Sequence, residues 1–204
     1  MFRKMLVAGL VVTAAIVMVP SIASATSVPA LPGGVHQAYI ADVNGDPQNG
    51  SLTITGPLTT TGAFSMSCTN HDEVVDYFDD GTAAVSSYSV TGCTVAGFPS
   101  CPITITPTGL PWGASFGHDT SSGTYKLYVN VSLDFTLGAA APACPAFGTI
   151  PETGTLSPTV SITSPTLSMA FAGSTSGTLS GPLGSMDWSG TITGAVPSGS
   201  QFVF

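Results

Sequence analysis

From Tyr125 to Leu137 the chain alternates without a break. Tyr125, Leu127, Val129, Val131, Leu133, Phe135 and Leu137 share one parity. Lys126, Tyr128, Asn130, Ser132, Asp134 and Thr136 share the other. A period of two over this length predicts a strand with one face in a core and the other in water.

Shorter segments follow the same rule. Leu52 and Ile54 alternate between Gly50 and Gly56, and Phe64, Met66 and Cys68 alternate so that Cys68 points inward. Ala84 to Thr91 carries Tyr88 and Val90 on one face, and Ile103 and Ile105 precede Pro107. Val160 and Ile162, then Leu167, Met169 and Phe171, form two runs split by Pro165. Leu179, Trp188 to Thr193, and Phe202 to Phe204 complete the set. Pro and Gly recur every few residues and Thr and Val are frequent, a mixture that disfavours helix. The expected fold is all-β, an antiparallel β-sandwich of immunoglobulin-like or jelly-roll-like form, with a barrel as the alternative. Gly50-Ser51-Leu52, Gly154-Thr155-Leu156 and Gly177-Thr178-Leu179 resemble one another at irregular spacings, which reads as repeated turn chemistry.

The N-terminus bears Arg3 and Lys4, then an uncharged apolar stretch from Met5 to Val19, then Ala23-Ser24-Ala25. This predicts a secretory signal peptide over 1–25, too short for a comfortable membrane span of ~20 residues. No Cys stands at the exit to carry a lipid anchor. Residues 26–34 are expected as a flexible arm and 35–204 as a single β domain. Without Arg3 and Lys4, Lys126 faces eleven acids, a net charge of 1 − 11 = −10. That balance argues against nucleic acid and against anionic lipid as partners. A cell-wall or other extracellular partner stays open, and no membrane span is expected after cleavage.

Cys68, Cys93, Cys101 and Cys144 make an even count in an exported chain, which predicts two disulfides in one of three pairings. No Cys-x-x-Cys spacing suggests zinc.

Several motifs invite chemistry. Gly113-Ala114-Ser115-Phe116-Gly117 matches a nucleophile elbow, and His118 and Asp119 follow. An elbow needs a strand, a sharp turn and a helix. Here a strand comes next, so Ser115 and His118 are weak catalytic candidates and a loop of small residues is expected. Ile150-Pro151-Glu152-Thr153-Gly154 resembles a sortase signal but lacks the apolar span and basic tail, and is read as a turn. Asp42-Val43-Asn44-Gly45-Asp46 starts like a calcium loop, yet Pro47 and Thr53 stand where the pattern wants Gly and Glu. An Asx turn is the simpler reading. No cofactor is expected, calcium being the one ion considered. His71 to Gly81 holds Asp72, Glu73, Asp76, Asp79 and Asp80, candidate metal ligands or else a solvated loop between Cys68 and Cys93. His36, His71 and His118 are scattered. Trp112, Trp188 and Tyr128 are candidate ligand-binding aromatics, with core anchoring as the plainer role of the two Trp residues. Terminal Phe204 suits a closing edge strand better than an outer-membrane barrel.

One arrangement has a wider echo. Cys68 ends a strand, Ser89-Val90-Thr91-Gly92-Cys93 follows an acidic stretch, and Ile103-Thr104-Ile105-Thr106 runs to Gly109-Leu110-Pro111-Trp112. Over roughly Gly50 to Leu137 this resembles uncharacterised exported β-rich proteins of high-GC Gram-positive bacteria, and is distantly similar to the alkane-oxidation activator family. The resemblance implies the pairings Cys68–Cys93 and Cys101–Cys144. It implies no catalytic residues. The expected role is that of a secreted or cell-surface protein, structural or adhesive. The alternatives are a module binding glycan or an apolar ligand, and a secreted serine hydrolase.

Overall fold

A computed structural model describes residues 27–63, 65–98, 100–138, 144 and 148–204. The predicted signal peptide lies outside these residues, as does Phe64. Among the described residues fourteen strands occur in chain order: β1 Val35–Gln37, β2 Tyr39–Ala41, β3 Gly50–Gly62, β4 Met66–Tyr77, β5 Thr82–Val95, β6 Ile103–Pro107, β7 Trp112–Asp119, β8 Thr124–Leu137, β9 Thr149–Leu156, β10 Thr159–Thr163, β11 Thr166–Ala172, β12 Thr178–Gly181, β13 Gly184–Ala195 and β14 Gln201–Val203. A single 3₁₀ turn, Gly173–Ser176, is the only helical element among the described residues.

The all-β antiparallel expectation holds. The sheet does not split into a sandwich, however. It closes into an eight-strand barrel in the order β7-β5-β4-β3-β13-β11-β10-β8, with β8 pairing back to β7. Closure depends on two long strands that each serve several neighbours. One edge of β8 holds β7 and then β6, and the other holds β10 and then β9. Likewise β13 holds β3 on one edge, and β12 and then β11 on the other. The small β2–β14 sheet covers one mouth, where Ile40 is buried and Phe202 lies 5.4 Å from Phe116 between ring centres.

Alternation sorts the faces. In β8 the odd positions are buried in the core, from Leu127 through Leu137, as the period of two predicts. Leu52, Ile54, Leu58, Met169, Phe171, Trp112 and Trp188 join them inside. The outer face carries Thr and Ser, such as Thr53, Thr55 and Thr59 of β3 and Thr191 and Thr193 of β13. An apolar inside and a hydroxyl outside reverse the polarity of a bilayer-spanning barrel. No helix among the described residues is long and apolar enough to cross a membrane.

Three segments expected as loops or turns are strands. Gly113 to Gly117 lies in β7, where bulky Trp112, Phe116 and His118 alternate with Gly113, Ser115 and Gly117. The small positions face outward beneath the N-terminal segment: a side chain at Gly117 would strike Val35, Leu31 and Tyr128. Of residues 26–34, expected as a flexible arm, the described part 27–34 runs across this face, and the Asn130 amide donates to the Ser27 carbonyl at 2.9 Å. The sortase-like Ile150 to Gly154 lies in β9. The acidic run from His71 to Tyr77 is the second half of β4.

The repeated Gly-Thr-Leu segments have a spatial cause. Gly154 of β9 and Gly177 before β12 lie where these antiparallel neighbours approach closely. A β-carbon on Gly154 would strike the Thr178 carbonyl, and one on Gly177 the Thr155 carbonyl. Each Gly admits the backbone of the other repeat, so close packing rather than turn chemistry explains these two copies.

Disulfides join Cys68 to Cys93 and Cys101 to Cys144, the implied pairings. The first bridges directly opposed positions of β4 and β5. The second ties the β5–β6 connection to the β8–β9 connection. Two disulfides fit an oxidising compartment.

Candidate functional site

The elbow residues do not form a catalytic pair. Ser115 and His118 are three apart on one strand, so their side chains leave opposite faces. Ser115 stands opposite Thr82 and Tyr128, whereas His118 stands opposite His36 and Tyr125. The His118 ring stacks on Phe204 at 3.9 Å and meets Tyr125 at a tilt, 4.6 Å between ring centres. These contacts make it part of an aromatic seal at the covered mouth. Asp119 caps its own turn, accepting from the Ser121 hydroxyl at 2.6 Å and the Ser121 amide at 2.9 Å. Those hydrogen bonds, Ser121's hydroxyl first, lower its carboxyl to about 2.

The three aromatic candidates do not share a platform. Trp112 and Trp188 are inside the barrel, each 1% exposed. Trp112 donates its Nε1–H to the Thr108 carbonyl at 2.7 Å. Tyr128 points outward under the N-terminal segment. Burial, and secondarily the charge of Asp119, raises its phenol.

Strand alternation also disperses the acids. Asp72 is exposed and Asp76 half-buried on the outer face of β4, while Glu73 is buried inside. Asp72 and Asp76 are four strand residues apart, ~13 Å. Asp79 and Asp80 lie in the β4–β5 turn, where Asp80 accepts from the Thr82 hydroxyl at 2.6 Å and the Thr82 amide at 2.9 Å, which lowers its carboxyl. The Asp42 segment is an Asx turn: Asp42 Oδ1 accepts from the amides of Asn44 at 2.8 Å and Asp46 at 3.0 Å. Among the described residues no three His, Cys, Asp or Glu side chains converge on one point.

The polar cluster that does exist is inside the barrel. His71 and Glu73 point inward from β4, 2% and 5% exposed, and His71 Nε2 lies 3.1 Å from Glu73 Oε2. Tyr88 stands opposite Glu73 across the β4–β5 ladder, and its ring meets His71 edge-on at 4.8 Å. Trp112 lies 5.0 Å from Tyr88, and Trp188 lies 6.3 Å from His71. Burial first, then the charge of Glu73, pushes the Tyr88 phenol well up. These five residues line a cavity of about 20 Å³, whose other walls are apolar, among them Leu58, Met169 and Phe171. His71 Nδ1 and Trp188 Nε1 have no hydrogen-bond partner among the described residues. A second buried acid, Glu152 of β9, is fully enclosed, and neither of its oxygens has a partner among the described residues. Burial raises its carboxyl.

The signal for the cluster was present in the order His71-x-Glu73-x-Val75-x-Tyr77, a period of two obscured by the acids between. Set beside known proteins, the chain matches no family model, no curated protein and no solved structure.

Proposed function

We propose that this is an exported or cell-surface barrel that acts as a structural or adhesive element rather than as a catalyst. One observation carries the reading: a continuous outward row of polar side chains crosses six strands. Ser161, Ser168, Thr193, Thr55, Asp72 and Ser89 stand in successive register on β10, β11, β13, β3, β4 and β5. Neighbouring members are ~4.8 Å apart, the spacing of adjacent strands. A second row, Ser189, Thr59, Ser67 and Thr94, runs beside it. Hydroxyls spaced this way suit contact with another hydroxyl-rich surface, such as a wall polysaccharide. The separation of Ser115 from His118 counts against the hydrolase. The enclosed Trp112 and Trp188 count against an open glycan platform.

Fractionation and cosedimentation test the reading together. The protein should be recovered outside the cytoplasm with oxidised cysteines, and should sediment with insoluble wall polysaccharide. Thr55→Lys should lower that retention by placing a bulky charge mid-row. Recovery from the cytoplasm with reduced thiols, or labelling of Ser115 by a fluorophosphonate probe, overturns it.

A further inference from the structure

The polar cluster inside the barrel is more than a core defect. A buried histidine–carboxylate hydrogen bond is weak evidence for stability, because desolvation consumes most of its attraction. Here the pair sits beside two further polar atoms without protein partners, His71 Nδ1 and Trp188 Nε1, on residues 2% and 1% exposed. Both residues line the same cavity.

The chemistry of the two atoms defines the guest. With the Glu73 carboxylate accepting, the His71 nitrogen that faces it is the one that carries the proton. In the neutral imidazole this leaves Nδ1 as an acceptor. The Trp188 indole nitrogen can only donate. A guest between them must accept one hydrogen bond and donate another, which is the property of a hydroxyl. The volume of about 20 Å³ exceeds the ~10–15 Å³ that one water requires, and leaves no room for a sugar or a long chain. We propose that the barrel interior is a binding site for one water-sized hydroxyl guest, held between Trp188 Nε1–H and His71 Nδ1 and oriented by the Glu73–His71 hydrogen bond. The apolar walls formed by Leu58, Met169 and Phe171 also accommodate a methyl group, so methanol is a fitting probe beside water itself.

The fold supplies its own control. Trp112 lines the same cavity, but its Nε1–H is already bonded to the Thr108 carbonyl. In the ¹⁵N-labelled exported chain, water-selective cross-relaxation should reach the Trp188 indole proton and not that of Trp112. Methanol titration should shift the Trp188 indole and His71 ring nitrogens, leave Trp112 in place, and saturate. Trp188→Phe should abolish the His71 response to methanol. Absence of a water cross-peak at Trp188, an equal response from both indoles, or a His71 proton on Nδ1 overturns the assignment. None of these readings depends on whether the outer face binds polysaccharide.

Discussion

Glu152→Gln should make the protein more stable at neutral pH and leave it unchanged in acid. The carboxyl is fully buried in β9 opposite Leu133, and neither oxygen has a hydrogen-bond partner among the described residues. Burial disfavours the ionised form and raises the pKa in the folded state. The unfolded chain ionises in the ordinary carboxylate range. Between that range and the raised folded value, the unfolded state has released a proton that the fold still holds. Stability is therefore complete below the ordinary range and falls as pH rises through the window. It falls by about 1.4 kcal/mol per pH unit, and levels off above the folded pKa. Gln keeps the shape and removes the titration.

Glu152→Met goes further. It removes the buried unpartnered polar group at every pH, a gain of about 1–3 kcal/mol. For a domain of this size, each kcal/mol corresponds to about 2–4 °C in Tm. Urea unfolding at steps from about pH 4 to about pH 8, followed by the fluorescence of buried Trp112 and Trp188, measures both effects. Parallel stability curves for wild type and Glu152→Gln across that range would refute the reasoning. So would a loss of stability in Glu152→Gln at neutral pH, because that is the signature of a carboxylate paired in the fold.

Gly181→Ala should cost about 1–3 kcal/mol in a thermal melt, because its β-carbon would press on the Pro151 carbonyl and the Glu152 carboxyl. Removing Cys101 and Cys144 together by Ala substitution should cost about 4 kcal/mol, and removing Cys68 and Cys93 about 3.5 kcal/mol, in chemical denaturation. The order follows the sequence separations of 43 and 25 residues. Carboxyl-detected NMR should find Asp119 titrating at about 2, and Ser121→Ala should move that midpoint up toward the ordinary range.

The strands readable from sequence were those whose outer face is wet. In β8, Lys126, Asn130 and Asp134 interrupt the apolar positions and expose the period. β7 hides it, because its outer face is covered by Leu31 and Val35 and carries only Gly and Ser there. β9 hides it for another reason: Pro151 and Gly154 look like turn residues, and Glu152 faces the core. Sandwich and barrel share one list of strands. What separates them is that β8 and β13 each serve several partners, a long-range property that no local period encodes. Trp112 and Trp188 are candidate ligand-binding aromatics in the sequence, with core anchoring as the plainer role, and they are buried in the core. Their shared cavity with His71 and Glu73 depends on where the β4 register shifts.

That shift connects the disulfide to the polar interior. In β4, Met66 and Cys68 face inward on even positions, whereas His71, Glu73, Val75 and Tyr77 face inward on odd ones. β3 keeps even positions inward throughout, so one strand must carry an extra residue; the pairing jumps from Leu58↔Cys68 to Gly56↔His71. A bulge of one residue reverses every side chain beyond it. With unbroken alternation from Cys68, Asp72 would enter the core and His71 and Glu73 would face water. The bulge thus keeps Cys68 inside opposite Cys93 and still turns His71 and Glu73 into the barrel. Neither residue adds apolar burial there, and their attraction is largely offset by desolvation. A local irregularity that places a costly pair beside two unpartnered polar atoms is better explained by a guest than by stability.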